Sequence, residues 1–144
     1  MNYMKDKTFL DTNIFVYAID SSGREKAKSQ NARKVINEYV ANMNGVISTQ
    51  VMQEFFVVAT CKITKKLSVD QALEYMRCIS VLEIVYPDEN MVFAAARKVK
   101  KYQMSFWDAM IIQSAQVSGC YFLLSEDLQH GTEVSGVKII NPLA

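Results

Sequence analysis

Five short stretches rich in β-branched and aromatic residues alternate with longer segments of helical periodicity along this chain. The predicted strands are Thr8–Leu10, Val46–Ser48, Val81–Tyr86, Tyr121–Leu124 and Val137–Ile140. The intervening segments predict helices at about 13–19, 24–43, 49–61, 69–78, 89–101 and 106–118. Parallel neighbouring strands need helical crossovers, which cover both faces of the sheet. The pattern therefore predicts an α/β fold, a three-layer α/β/α sandwich around a mainly parallel sheet of roughly five strands.

Length and composition predict one globular domain covering residues 1–144. Half of the residues are hydrophobic and 22% are charged, and no apolar run approaches the ~20 residues of a membrane span. The N-terminal segment has no apolar stretch that resembles a signal peptide, so we expect a soluble, cytoplasmic protein. The chain has one histidine, and its three cysteines show no C-x-x-C spacing, which excludes structural zinc. The net charge of +1 provides no global attraction for a polyanion.

Two aspartates follow predicted strands directly, in "FLDTN" and "LLSED". In open α/β sheets, ligands bind at the edge where strands end and helices begin. Asp11 lies there after the first strand, where it suits either a helix N-cap or a metal ligand. Asp127 lies there after the fourth strand and is preferred to Glu126, although local reasoning separates these two acids poorly and a turn or cap role suits both.

Two further acids belong to helices that begin at the same edge. Glu54 lies one to two turns into the helix after the second strand, and it either snorkels to solvent or faces the sheet edge. Asp108 has the S-x-x-D spacing of a capping box with Ser105. Its helix leads into the fourth strand, so the helix must begin at the carboxyl edge. Asp108 is therefore expected near Asp11.

Four carboxylates on one rim would repel one another unless a cation is present. With no His or Cys among them, a hard ion such as Mg²⁺ or Mn²⁺ is the natural partner. Such a site polarises a phosphoryl oxygen, and two ions stabilise both the attacking and the leaving oxygen. Hydrolysis of a phosphodiester is the reaction class that this chemistry indicates.

At these residues the sequence resembles the PIN-domain nucleases, in particular the VapC-type toxins of prokaryotic toxin-antitoxin pairs. The matching segments are "FLDTNIFVYA", "ISTQVMQEFFVV", "SFWDAMIIQSA", "LLSEDLQHG" and the closing "VKIINP". They occur in family order and span essentially the whole chain. The first and third motifs are the more specific ones.

The resemblance implies a metal-dependent endoribonuclease whose catalytic, metal-binding acids are Asp11, Glu54, Asp108 and Asp127, with one or two Mg²⁺ or Mn²⁺ ions. It places Asn13 and Ser125 where the family has small polar residues that support the acids. It also implies an RNA substrate, a homodimer and a cognate antitoxin protein. By analogy, water attacks the phosphodiester, so cleavage leaves a 3′-hydroxyl and a 5′-phosphate.

Basic and aromatic residues are weaker indicators of RNA binding. The runs "CKITKK" and "RKVKK" suit phosphate contacts, although the second also suits a helix end whose charges complement the helix dipole. The aromatic residues lie in apolar helical patterns, which favours the core or a dimer interface over base stacking; they are Tyr17, Phe55, Phe56, Phe106 and Trp107.

Two other functional classes compete with the nuclease. A catalytically silent PIN-like module would bind RNA or protein without cleavage, but it would have no need for four mutually repelling acids. A response-regulator phosphoacceptor domain also collects acids at a sheet edge. It should have a phosphoacceptor aspartate after the third strand, and "VYPDEN" matches that requirement poorly.

Overall fold

The computed structural model describes residues 5–143 as six helices around a six-stranded sheet. The strands are β1 (Thr8–Leu10), β2 (Gly45–Ser48), β3 (Glu83–Val85), β4 (Phe122–Leu124), β5 (Glu133–Val134) and β6 (Val137–Ile140). The helices are α1 (Thr12–Ile19), α2 (Lys26–Asn42), α3 (Thr49–Cys61), α4 (Val69–Ile79), α5 (Glu89–Tyr102) and α6 (Phe106–Val117). The predicted fold class is confirmed. Residues 1–4 and 144 of the predicted domain lie outside the described residues.

The strand order is β3-β2-β1-β4-β6-β5, and every pairing is parallel except that of β5 with β6. β5 is the strand that the sequence pattern did not predict. It has only two residues and pairs with β6 across the tight turn at Ser135 and Gly136, both of which have positive φ. A hairpin this short offers too little alternation of polar and apolar residues to be recognised.

The strand order defines a switch point between β1 and β4. From β1 the chain proceeds outward through β2 to β3, and it then crosses back to β4 on the other side of β1. Right-handed crossovers in opposite directions put α1–α4 on one face and α5 with α6 on the other. Ligands of open α/β sheets bind at the carboxyl ends of the strands at such a point. Asp11 and Ser125 follow the two strands that flank it.

The core forms between the sheet and these helices. The central strands are wholly buried, and the largest fully buried side chains come from strands and helices alike: Tyr39, Phe9, Phe15, Phe55, Leu10 and Ile14. At the start of β2, Gly45 lies so close to α2 and to the turn before β3 that an added Cβ would be 3.1 Å from Tyr39 Cβ and 3.0 Å from Leu82 Cδ2. None of the helices in residues 5–143 is long and apolar enough to cross a bilayer.

Candidate active site

Asp11 is a buried carboxylate at the end of β1. Its backbone N–H donates to Leu124 O at 3.0 Å, which extends the pairing of β1 with β4 by one residue. Its Oδ1 accepts the Thr12 N–H at 2.7 Å and caps α1, while Oδ2 accepts the Ser125 hydroxyl at 2.7 Å. Asp11 is only 6% exposed. The carboxylate therefore caps a helix and faces the switch point at the same time.

Ser125 connects three of the predicted site residues. Its fully buried hydroxyl donates to Asp11 and accepts from Asp127 N at 3.1 Å and from Asn13 Nδ2 at 3.3 Å. These bonds use its single donor and both acceptor sites. Asn13 Nδ2 also donates to Asp127 Oδ2 at 3.0 Å, and Asn13 Oδ1 accepts Glu126 N at 3.1 Å. Asn13 and Ser125 thus hold the segment after β4 against the start of α1.

The two adjacent acids after β4 have different surroundings. Glu126 accepts the Tyr17 hydroxyl at 2.6 Å and pairs with the Lys28 ammonium at 2.8 Å. Partial burial alone would raise the pKa of Glu126, but the Lys28 and Tyr17 contacts outweigh it and hold that pKa below its usual range. Asp127 is exposed and turns toward Asn13. The geometry therefore favours Asp127 as the acid on the rim and gives Glu126 a tethering role.

Glu54 reaches the rim from α3 and is connected to α6 through Gln50. Gln50 Nε2 donates to Glu54 Oε1 at 3.0 Å and to Trp107 O at 3.2 Å, which brings the beginnings of α3 and α6 together. Glu54 is exposed as a residue, but neighbouring protein partly desolvates its carboxyl group. This desolvation raises the pKa of Glu54, and the charges of Asp108 and Asp127 raise it further.

Asp108 lies in the first turn of α6, as its spacing from Ser105 predicts. Ser105 Oγ accepts the Asp108 N–H at 3.1 Å, which is one half of the capping box. The reciprocal bond from the Asp108 carboxylate is not formed, and within residues 5–143 that carboxylate makes no hydrogen bond or ion pair. A carboxylate that is not used by its own helix is available to the rim, where its charge acts on Glu54.

Mutual electrostatic effects connect the four acids. Burial raises the pKa of Asp11 to about 7; the Ser125 and Thr12 bonds oppose the shift, and the charges of Asp127 and Glu54 add to it. The charges of Asp108 and Asp127 likewise raise the pKa of Glu54. Desolvated, mutually repelling carboxylates are stabilised by a cation. A cation at this rim would offset the cost of ionising Asp11.

The donor set fits a hard divalent ion. All four acids offer oxygen, and the supporting side chains are an amide and a hydroxyl. Within the part of the chain that is described, no three His, Cys, Asp or Glu side chains stand in an arrangement that would hold an ion by themselves. Mg²⁺ retains several waters and binds through one or two carboxylates, so it does not require a complete protein cage. Asp11 and Asp127, both bonded to the Ser125–Asn13 pair, could supply such carboxylates.

Three supporting residues were missed by the sequence analysis, namely Tyr17, Lys28 and Gln50. Two of them had a usable signal, because Tyr17 lies four residues after Asn13 and Gln50 lies four before Glu54, which is the spacing of helical neighbours. Lys28 had none. It belongs to a different helix from Tyr17 and reaches Glu126 only through the tertiary fold.

The aromatic residues divide into buried and exposed ones. Phe55 is fully buried and stacks on Tyr75 at a centroid distance of 5.1 Å, as expected for core. Trp107 is 63% exposed, so of the two expected positions, the core and a dimer interface, the core is excluded for this residue. It lies in the first turn of α6, and the helix becomes buried only from Ala109 onward.

The chain belongs to the PIN domain family, whose model matches residues 8–130. No curated protein matches it. Among solved structures it is similar to a toxin-antitoxin complex from Klebsiella pneumoniae, with a TM-score of 0.69, 19% identity, and coverage of 94% of this chain and 97% of that one. It is also similar to a DNA-bound VapBC from Salmonella typhimurium, with a TM-score of 0.64, 20% identity, and 92% and 96% coverage.

A third similar structure is VapC20 of Mycobacterium tuberculosis, a toxin that cleaves the sarcin-ricin loop. Its TM-score is 0.59 at 15% identity, and the match covers 81% of this chain and 86% of that one. At these identities the likeness shows a shared fold. It agrees with the family model, and the first two matches extend over 94% and 92% of this chain.

Proposed function

We propose that this chain is a divalent-metal-dependent endoribonuclease, the toxin of a toxin-antitoxin pair, with residues 1–144 forming one nuclease domain. The observation that carries the proposal is the rim of Asp11, Glu54, Asp108 and Asp127 at the switch point. These acids come from four separate segments, and Asp11 is too deeply buried to ionise easily without a cation. The related toxin that cleaves an RNA loop and the related toxin-antitoxin complexes support the choice of RNA and of an antitoxin partner.

The chain's own residues would share the work of hydrolysis. Asp11 and Asp127 would hold the cation, and Glu54 and Asp108 would flank it from the helix layer. When bound, Mg²⁺ or Mn²⁺ supplies positive charge that polarises the phosphate and makes water a stronger nucleophile. Glu54, whose pKa is raised, is suited to accept a proton from the attacking water. Ser125 and Asn13 would fix the acids in position.

The direct test is RNA cleavage by the purified protein with EDTA, with Mg²⁺ and with Mn²⁺. We expect cleavage only with metal, and products with 3′-hydroxyl and 5′-phosphate ends. Asp11→Asn and Asp108→Asn should each lower the rate by at least ~100-fold, because each removes a charged group from the reacting centre. Cyclic phosphate ends formed in EDTA would contradict the mechanism.

Asp70→Asn is the matched control for Asp108→Asn. Each aspartate lies in the first turn of a helix with a serine N-cap, so each substitution removes the same kind of favourable helix-dipole interaction. Only the Asp108 variant should lose activity. A catalytically silent module, the competing function, would bind RNA with no cleavage in any of these conditions.

The proposal includes an antitoxin and a homodimer. Co-expression with the cognate antitoxin should suppress cleavage and give a stable complex; a small DNA-binding protein encoded beside this gene would be the candidate to test. Sedimentation of the purified toxin alone would report its own oligomeric state. Monomer at micromolar concentration would contradict the dimer without affecting the nuclease assignment.

A further inference from the structure

Trp107 is an exposed aromatic ring that is nevertheless held in place. It is the only tryptophan of the chain and immediately precedes Asp108. Its backbone carbonyl accepts the Gln50 amide, and its ring packs edge-to-face against Phe106 at a centroid distance of 5.2 Å. A large ring that is 63% exposed leaves much apolar surface in water.

The Trp107 ring borders a groove that leads to the acids. The groove has a volume of 350 Å³ and is lined by Gln50, Gln53, Glu54, Val57, Val58, Lys62 and Trp107. That volume lies at the lower end of the ~300–1,000 Å³ range of ligand pockets. Glu54 belongs to both the groove and the acid rim, so the two are continuous. Lys62, at the end of α3, contributes one positive charge.

This combination of groups matches the parts of a nucleotide. An aromatic face binds any base by stacking, and the two valines extend the apolar surface beside it. The amide of Gln53 offers polar groups to a base edge, and Lys62 offers a cation to a phosphate. A base inside a duplex has both faces covered by its neighbours, so only an unpaired, unstacked base could lie on Trp107.

We propose that the Trp107 groove, the groove defined above, binds one unpaired base of the RNA next to the bond that is cleaved. The inference rests on the proposed nuclease function and adds a specificity-determining residue to it. Trp107 selects single-stranded or looped RNA over duplex, and Lys62 contacts a flanking phosphate. Because the groove shares Glu54 with the rim, a base held there brings its own backbone to the acids.

Tryptophan fluorescence tests the inference directly, since Trp107 is the only source of that signal. The Asp11→Asn protein in Mg²⁺ is titrated with a short single-stranded RNA, with its duplex, and with the same strand carrying an abasic position. We expect the single strand to quench the fluorescence strongly, and the duplex to bind without quenching it. Scanning the abasic position along the strand should identify one place at which quenching is lost.

Substitution provides the second measurement, with binding followed by polarisation of labelled RNA. Trp107→Ala should weaken binding of the single strand by roughly 5- to 150-fold, and Trp107→Phe by less. Tyr121→Ala is the matched control, because Tyr121 is 58% exposed but precedes β4 at the opposite edge of the sheet. It should leave binding unchanged. Thermal unfolding of each variant checks that the fold is intact.

Two results would overturn the inference. Unchanged Trp107 fluorescence on RNA that polarisation shows to be bound would mean that no base lies on the ring. A fluorescence shift that follows protein concentration alone, without response to RNA, would mean that a second copy of the chain covers the groove. In either case Trp107→Ala should bind RNA like the unsubstituted protein.

The nuclease proposal and the groove proposal can fail separately. If the unsubstituted protein cleaves RNA and Trp107→Ala does so with the same kcat/KM, the groove proposal fails and the nuclease stands. If RNA quenches Trp107 but no metal supports cleavage, the nuclease proposal fails while the groove remains a site for unpaired RNA.

Discussion

The hydroxyl of Ser125 donates to Asp11 Oδ2 over 2.7 Å, so a residue of the loop after β4 fixes the carboxylate at the end of β1. Both residues are buried, and the bond crosses the point where the order of the strands reverses. In the proposed metal site this would be a supporting contact, one that orients a ligand without touching the ion.

Ser125→Ala should lower metal affinity and RNA cleavage together, by roughly 10- to 100-fold, as is typical when the support of a ligand is removed. Calorimetric titration with Mn²⁺ measures the metal affinity, and cleavage of an oligonucleotide measures the activity. Ser114→Ala is the control, because Ser114 is equally buried but its hydroxyl has no hydrogen-bond partner in the described chain. A loss of activity at unchanged metal affinity would contradict a supporting role.

The raised pKa of Asp11 makes the stability of the metal-free protein depend on pH. In the unfolded chain Asp11 has its ordinary value of 3.8, and in the folded protein its pKa is about 7. Between these values the folded state retains a proton that the unfolded state has released. The free energy of unfolding attributable to Asp11 therefore falls as pH rises from about 4 to about 7 and is level above that.

Urea unfolding in EDTA across this pH range measures the effect. Asp11→Asn should remove the fall, because an asparagine caps α1 nearly as well and does not ionise. Above pH ~7 the variant should be the more stable protein, and Mg²⁺ should stabilise only the unsubstituted one. If the free energy of unfolding changed with pH in the same way for both proteins, Asp11 would ionise without destabilising the fold.

Lys28 and Tyr17 hold Glu126 in place. We expect these contacts to affect the site by fixing the loop after β4, and not by changing the charge at the rim. Lys28→Met should allow the pKa of Glu126 to rise toward its usual range and should loosen Asp127, with a loss of metal affinity of about two- to tenfold. Lys26→Met, on the same helix and exposed, should have no effect. If Lys28→Met binds metal normally but loses RNA affinity, Lys28 contacts the RNA instead.

Gly45 should tolerate no side chain. An added methyl group would press on Leu82, Tyr39 and Leu10, each at 3.3 Å or less, and overpacking of this kind costs about 1–3 kcal/mol. Chemical unfolding of Gly45→Ala measures the loss. Adding Leu82→Val, which removes the atom closest to the new methyl group, should recover part of it. Equal stability of Gly45→Ala and the unsubstituted protein would contradict the close approach of helix and sheet.

The sequence was sufficient to predict every helix and the five longer strands, because each has a clear period and a turn or cap at its ends. Asp11, Glu54, Asp108 and Asp127 could be assigned to one edge from chain direction alone. The distinction between Asp127 and Glu126 could not be predicted, since it depends on Lys28, about a hundred residues away. The exposure of Trp107 could not be predicted either, because a periodic pattern does not distinguish an outward-facing ring at the start of a helix from an inward-facing one.

The bond between Ser125 and Asp11 joins residues separated by 114 positions. During synthesis, Asp11 is made long before β4 and the segment that follows it. The acid rim therefore lacks Asp127 until that segment has been made and has folded back beside β1. For a protein proposed to cut RNA, the ribosome and message that produce it are spared until then.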